Sequence, residues 1–77
     1  MSVISLIAQP GHSPAAAELV RGAAGRLGVD TEMGSDGSWE LRFELPYTAA
    51  HNLVVDALAA EDPRWPNVLT LDYALAV

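Results

Sequence analysis

The stretch 38–45 constrains the fold of this chain more than any other feature. Its sequence is Ser-Trp-Glu-Leu-Arg-Phe-Glu-Leu, in which apolar and charged side chains alternate strictly from Trp39 to Leu45. Because successive side chains of a β-strand point to opposite faces, the pattern predicts a strand with one apolar and one charged face. The apolar face has to be buried, so the chain must also supply helices that cover it.

Three further segments are predicted to be strands. The first, 2–8, is rich in β-branched residues and is followed by a Pro-Gly turn. The second, 29–33, alternates weakly and joins 38–45 through Gly-Ser-Asp-Gly, a typical hairpin turn. The third, 68–77, places leucine, tyrosine and valine at every second position.

Two helices are predicted between the strands. The first covers 14–27, with Ser13 as its cap and Gly28 as the residue that ends it. The second covers 49–61, with Thr48 as its cap. Apolar residues recur at helical spacing in both, and the stripe of the second consists of Ala50, Leu53, Val54, Ala57 and Leu58.

The order of elements is therefore β-α-β-β-α-β in a chain of 77 residues, a length that suits a single domain. Right-handed crossovers arrange such a chain as a four-stranded antiparallel sheet with both helices on one face. We therefore predict an α+β, ferredoxin-like βαββαβ sandwich that occupies residues 1–77. We also expect the first and third strands to be parallel neighbours, so that the loops after them lie at one edge of the sheet.

Composition narrows the classes of function. The chain has ten acidic residues, four arginines and no lysine, and its net charge of −6 opposes contacts with nucleic acids and anionic membranes. Without cysteine it has neither disulfides nor thiolate metal sites. Its apolar opening lacks the basic residues of a signal peptide and is too short to span a membrane. We expect a cytoplasmic protein with no nucleic-acid or membrane partner and no metal or other cofactor.

The expected loop edge gathers the polar groups that are best suited to bind a ligand. Two helix N-termini meet there, and their free N–H groups, with hydroxyls and imidazoles beside them, suit a small anion or a carboxylate. The candidate ligand-binding residues are Gln9, Gly11, His12, Ser13, Tyr47, Thr48 and His51.

A plainer interpretation is that Ser13 and Thr48 only cap helices and that both histidines are solvated. His12 and His51 are the only histidines, and two imidazoles without further ligands do not make a stable zinc site. Neither histidine has a cysteine nucleophile to activate. No catalytic residue is therefore assigned, and a small enzyme or enzyme subunit that uses this edge is the alternative hypothesis.

The segment 7–14, Ile-Ala-Gln-Pro-Gly-His-Ser-Pro, precedes an amphipathic helix that ends Arg-Leu-Gly-Val at 26–29, and this start resembles that of ACT domains. Those small βαββαβ regulatory modules typically carry an Asp-x-x-Pro-Gly-like turn after the first strand. Many bind amino acids near that turn at a dimer interface. Pro10 and Gly11 match, whereas Gln9 stands where the family usually has an acidic residue. The resemblance implies a non-enzymatic regulatory module with a small-ligand site.

The face of the sheet that the helices leave uncovered is a candidate interface. It carries Val3 and Ile7 on the first strand and the charged residues of 40–44 on the third, without the aromatic and basic side chains that RNA binding needs there. We expect a binding module that forms a homodimer or docks on a partner protein, with a basic partner surface as a further alternative. Trp65, between two prolines, is expected to fold back over the core or to take part in an interface.

Two glycines, Gly22 and Gly25, fall on the predicted outer side of the first helix. Each lowers helix stability by up to about 1 kcal/mol relative to alanine. They either permit the close approach of another helix or are tolerated drift in a helix rich in alanine and glycine.

Overall fold

The computed structural model of the chain describes residues 2–33 and 37–73. The described part contains the strands β1 (Ser2–Ala8), β2 (Thr31–Met33), β3 (Trp39–Phe43) and β4 (Leu69–Tyr73). It also contains the helices α1 (Ser13–Leu27) and α2 (Tyr47–Glu61) and a single 3-10 turn (Trp65–Asn67). The first three residues of the predicted hairpin turn, 34–36, and the end of the predicted last strand, 74–77, lie outside the described residues.

The four strands form one sheet in the order β2-β3-β1-β4. Every neighbouring pair is antiparallel, with Leu41 opposite Ile4 on one side of β1 and Leu71 opposite Leu6 on the other. With the element order β-α-β-β-α-β, this is the predicted α+β, ferredoxin-like fold. The prediction that β1 and β3 are parallel is wrong. The crossover through α1 makes β1 parallel to β2, and β3 inserts between them in the opposite direction.

The core lies between the sheet and the two helices. The alternation on β3 places Trp39, Leu41 and Phe43 on the covered face, as predicted, and none of them is more than 7% exposed. Ile4 and Leu6 of β1 are fully buried beside them. The helices complete this layer mostly with alanine and valine, through Ala16, Val20, Ala23, Ala24, Ala50, Val54, Ala57 and Leu58.

Three apolar residues near the margins of the core differ in their burial. Leu53 is 41% exposed, although it belongs to the predicted stripe of α2. Leu45 is 39% exposed because β3 ends at Phe43, before the alternation does. Trp65 is half-buried in the 3-10 turn and packs against the core. The fold-back interpretation of Trp65 is therefore confirmed.

The starts of both helices differ from the prediction. α1 begins at Ser13 itself, with His12 at the N-cap position, and no side chain caps it. In α2 the N-cap position belongs to Pro46, again without a side-chain cap, and Thr48 lies inside the first turn. The predicted capping roles of Ser13 and Thr48 are therefore wrong. A proline close to each start, Pro14 or Pro46, presets φ near its helical value, so the backbone enters each helix without the hydroxyl.

The glycines inside α1 have different surroundings. A Cβ on Gly22 would lie 2.7 Å from Cδ of Glu61, the last residue of α2. The same carboxylate accepts a hydrogen bond of 2.6 Å from Arg26 Nε, so an ion pair passes over Gly22 between the two helices. Gly22 therefore permits the Glu61 side chain of α2 to approach α1 closely. A Cβ on Gly25 would meet nothing within 4 Å, which agrees with tolerated drift.

Alanine substitutions at Gly25 and Gly28 are expected to change stability in opposite directions. Gly25→Ala should raise the free energy of unfolding by up to about 1 kcal/mol, because alanine is the better helix former and the methyl group has free space. Gly28→Ala should lower it by about 1–2 kcal/mol, the cost of a left-handed conformation for an L-residue, since Gly28 ends α1 with φ of 68°. Urea unfolding followed by circular dichroism measures both. Changes of the same sign would contradict the end of α1 at Gly28.

Candidate functional site

The two loops of the predicted ligand site lie at opposite ends of the sheet. The loop that leads to His12 follows the end of β1, where the Gln9 N–H donates to the Val68 carbonyl at 2.8 Å. The loop that leads to α2 follows Phe43, which lies opposite Ser2 at the start of β1. β1 has seven residues, which span about 20 Å. A small ligand therefore cannot contact both loops, and the expected joint edge is not formed.

The polar groups at the first end support the local structure. Gln9 Nε2 donates to Thr70 Oγ1 at 2.6 Å, which ties the loop to β4. Gly11 adopts φ of 80°, a turn conformation that favours glycine. The His12 N–H donates to the Gln9 carbonyl at 3.0 Å, and the His12 carbonyl accepts the first helical hydrogen bond of α1. The side chains of His12 and Ser13 are exposed. The fold thus already uses the side chain of Gln9.

At the second end, the predicted residues form a small contact at the start of α2. The rings of Tyr47 and His51 lie 6.1 Å apart between centroids and are tilted by 31°. Tyr47 also packs against the core, and Thr48 is exposed. Ser2 Oγ donates to the Leu45 carbonyl at 2.6 Å and fastens this loop to β1. Each end of the sheet therefore presents one helix N-terminus and one imidazole, and the predicted pair of histidines does not exist as a unit.

Metal-binding clusters and membrane-spanning helices are both absent from the described part of the chain. Within residues 2–33 and 37–73, no three histidine or carboxylate side chains are grouped to hold a metal ion. In the same described part, neither helix has the length and hydropathy that a bilayer-spanning segment requires.

The sheet face opposite the helices is open in the described part of the chain. β1 directs Val3, Ser5 and Ile7 to this face, and β3 directs Glu40 and Arg42 to it. Ile7 is 39% exposed. The side chains of Glu40 and Arg42 are 39% and 62% exposed. We call this surface, with Glu32 and Thr70 at its sides, the open face.

One row of positions across the open face is acidic. Glu32 lies directly opposite Glu40 on the neighbouring strand, and Glu40 lies opposite Ser5. Neighbouring strands are about 4.8 Å apart, and like charges directly opposite one another are destabilising. Sequence reasoning placed charged residues on this face but missed the row, because a row depends on the register between strands.

Arg42 only partly balances this charge. Its guanidinium lies 3.6 Å from a Glu40 carboxylate oxygen. It is the one arginine on a strand in the described part of the chain. Beside the edge strand β2, a shallow groove continues the acidic surface and is lined by Val29, Asp30, Glu32, Glu40 and Arg42. The open face therefore combines apolar side chains on β1 with an excess of negative charge.

Comparisons with known proteins do not assign the chain to a family. It matches no protein-family model, no curated protein and no solved structure. The resemblance to ACT domains therefore stays a prediction, and function has to be argued from the residues of the chain itself.

Proposed function

We propose that this protein is a non-enzymatic binding module that docks on a protein surface, a second copy or another chain, through its open face. The observation that carries the proposal is the position of Ile7, which is 39% exposed on the inner strand β1. Val3 lies on the same strand and the same face. Apolar side chains in the middle of an open sheet are removed from water only when another surface covers them.

The geometry supports the alternatives less well. A small enzyme at a joint His12/His51 edge loses its basis, because those residues lie at opposite ends of β1. An ACT-like site for a small anion would have to use the Gly11 turn alone. A cytoplasmic location is part of the proposal, since small secreted domains commonly depend on disulfides and this chain has no cysteine.

Site-specific photo-crosslinking tests the proposal. With benzoylphenylalanine at position 7, irradiation of cells that make the protein is expected to give adducts with one or a few defined proteins. The matched control carries the same probe at position 53, because Leu53 is 41% exposed and Ile7 39%, so that the probes differ in location rather than exposure. Mass spectrometry of the adducts identifies the partner, and an adduct of twice the chain mass identifies self-association.

If position 7 gives no more adduct than position 53, the open face is not a docking surface and the proposed function is wrong.

A further inference from the structure

We infer that the partner on the open face is a cationic protein segment with alternating basic and apolar side chains, and not a second copy of this chain. The inference rests on the proposed function and names the chemistry of the partner. It is carried by two observations, the acidic row across the strands and the spacing of the apolar residues on β1.

The acidic row carries more negative than positive charge. Glu32 and Glu40 face each other on neighbouring strands. One arginine, Arg42, lines the same groove as both glutamates and lies 3.6 Å from Glu40. A basic side chain from a partner, placed over the row, would interact favourably with the carboxylates of Glu32 and Glu40.

A second copy of the chain supplies little of that positive charge, because its own open face carries one arginine, Arg42, beside Glu32 and Glu40. A two-fold face-to-face dimer turns the same surface onto itself, so the acidic row of one copy meets the acidic surface of the other. The whole chain has four arginines and no lysine against ten acidic residues. Like-charge contacts of this kind exclude a partner rather than bind it.

The apolar residues define the pattern of the partner. Val3, Ser5 and Ile7 follow one another at alternate positions along β1, about 6.6 Å apart. An extended segment lying along β1 presents every second side chain to the sheet at the same spacing. Apolar residues over Val3 and Ile7 therefore place a basic residue over Ser5, beside Glu40.

A nuclear magnetic resonance titration tests this pattern directly. The probe is the synthetic peptide Thr-Lys-Thr-Leu-Thr-Lys-Thr-Leu-Thr-Lys-Thr, and its control has glutamate in place of each lysine. The lysine peptide is expected to shift the amide signals of 3–7 and 40–42, while those on the outer sides of the helices stay unchanged. The glutamate peptide is expected to leave all of them unchanged.

Two charge-matched double variants separate a specific surface from simple attraction to an acidic protein. Glu32→Gln with Glu40→Gln changes the open face, and Glu18→Gln with Asp56→Asn changes exposed positions on the helices. Each double variant raises the net charge by two. The open-face variant is expected to bind the lysine peptide roughly tenfold more weakly, and the helix variant less than about twofold. Removal of the Glu32–Glu40 repulsion should leave the melting temperature unchanged or higher, so the loss cannot be ascribed to unfolding.

Equal weakening in both double variants, signal shifts over the helices, or equal binding of the glutamate peptide would overturn the inference. Crosslinked adducts at position 7 with a second copy, or with a protein that lacks a basic segment, would also overturn it. These last two results would leave the proposed docking function intact, whereas the absence of adducts at position 7 would remove both.

Discussion

Phe43→Ala is expected to lower the free energy of unfolding by about 3–5 kcal/mol. Phe43 is 7% exposed and belongs to the same buried cluster as Trp39 and Leu41. Removal of the ring loses its buried apolar contacts and leaves a cavity in the packed core. The free energy of unfolding of small domains is about 0.05–0.15 kcal/mol per residue. The variant should therefore lose a large share of its stability. Urea unfolding followed by tryptophan fluorescence measures the loss.

The control for this prediction is the neighbouring residue. Glu44 is exposed and lies just beyond the end of β3, so Glu44→Ala is expected to change stability by no more than about 0.5 kcal/mol. If the Phe43 variant melts like the unmodified protein, the ring lies outside the core and the two faces of β3 are reversed.

Leu58→Ala is expected to cost about 2–5 kcal/mol, whereas Leu53→Ala should cost no more than about 0.5 kcal/mol. Leu58 is fully buried and Leu53 is 41% exposed, although both belong to the predicted stripe of α2. The two substitutions remove the same atoms and change intrinsic helix propensity equally, so this contribution cancels between them. The difference in their unfolding free energies therefore measures burial alone.

Thermal unfolding followed by circular dichroism gives both values. A domain of this size loses roughly 4–8 °C of melting temperature per kcal/mol, so the two variants should be clearly separated. Equal melting temperatures would mean that α2 is rotated about its axis relative to the sheet.

Much of the fold could be predicted because its signals are local. The alternation in 38–45 identified the covered face of β3 correctly, down to Trp39, Leu41 and Phe43. Gly28 ends α1 in the left-handed conformation, as predicted. The prolines and hydroxyls at the helix starts were harder to interpret. Ser13 and Thr48 are typical capping residues, yet the backbone enters both helices without them.

The candidate site could not be predicted in the same way, because it depends on how distant segments are placed. The parallel pairing assumed for β1 and β3 brought His12 and His51 to one edge, and the antiparallel pairing separates them by the length of β1. Conversely, Glu32 and Glu40 are eight residues apart in the chain, and only the hairpin register makes them neighbours. Strand direction and register decide which polar groups meet.

By itself, then, the sequence determined the type and order of the elements and the face that β3 buries. These properties follow from the periodicity of side chains over a few consecutive residues, which can be read directly from the sequence. The tertiary structure alone decided that the two loops lie apart, that Leu58 rather than Leu53 is covered, and that carboxylates align across the open face. Those outcomes depend on strand direction, helix rotation and register, which are set by contacts between segments far apart in the chain.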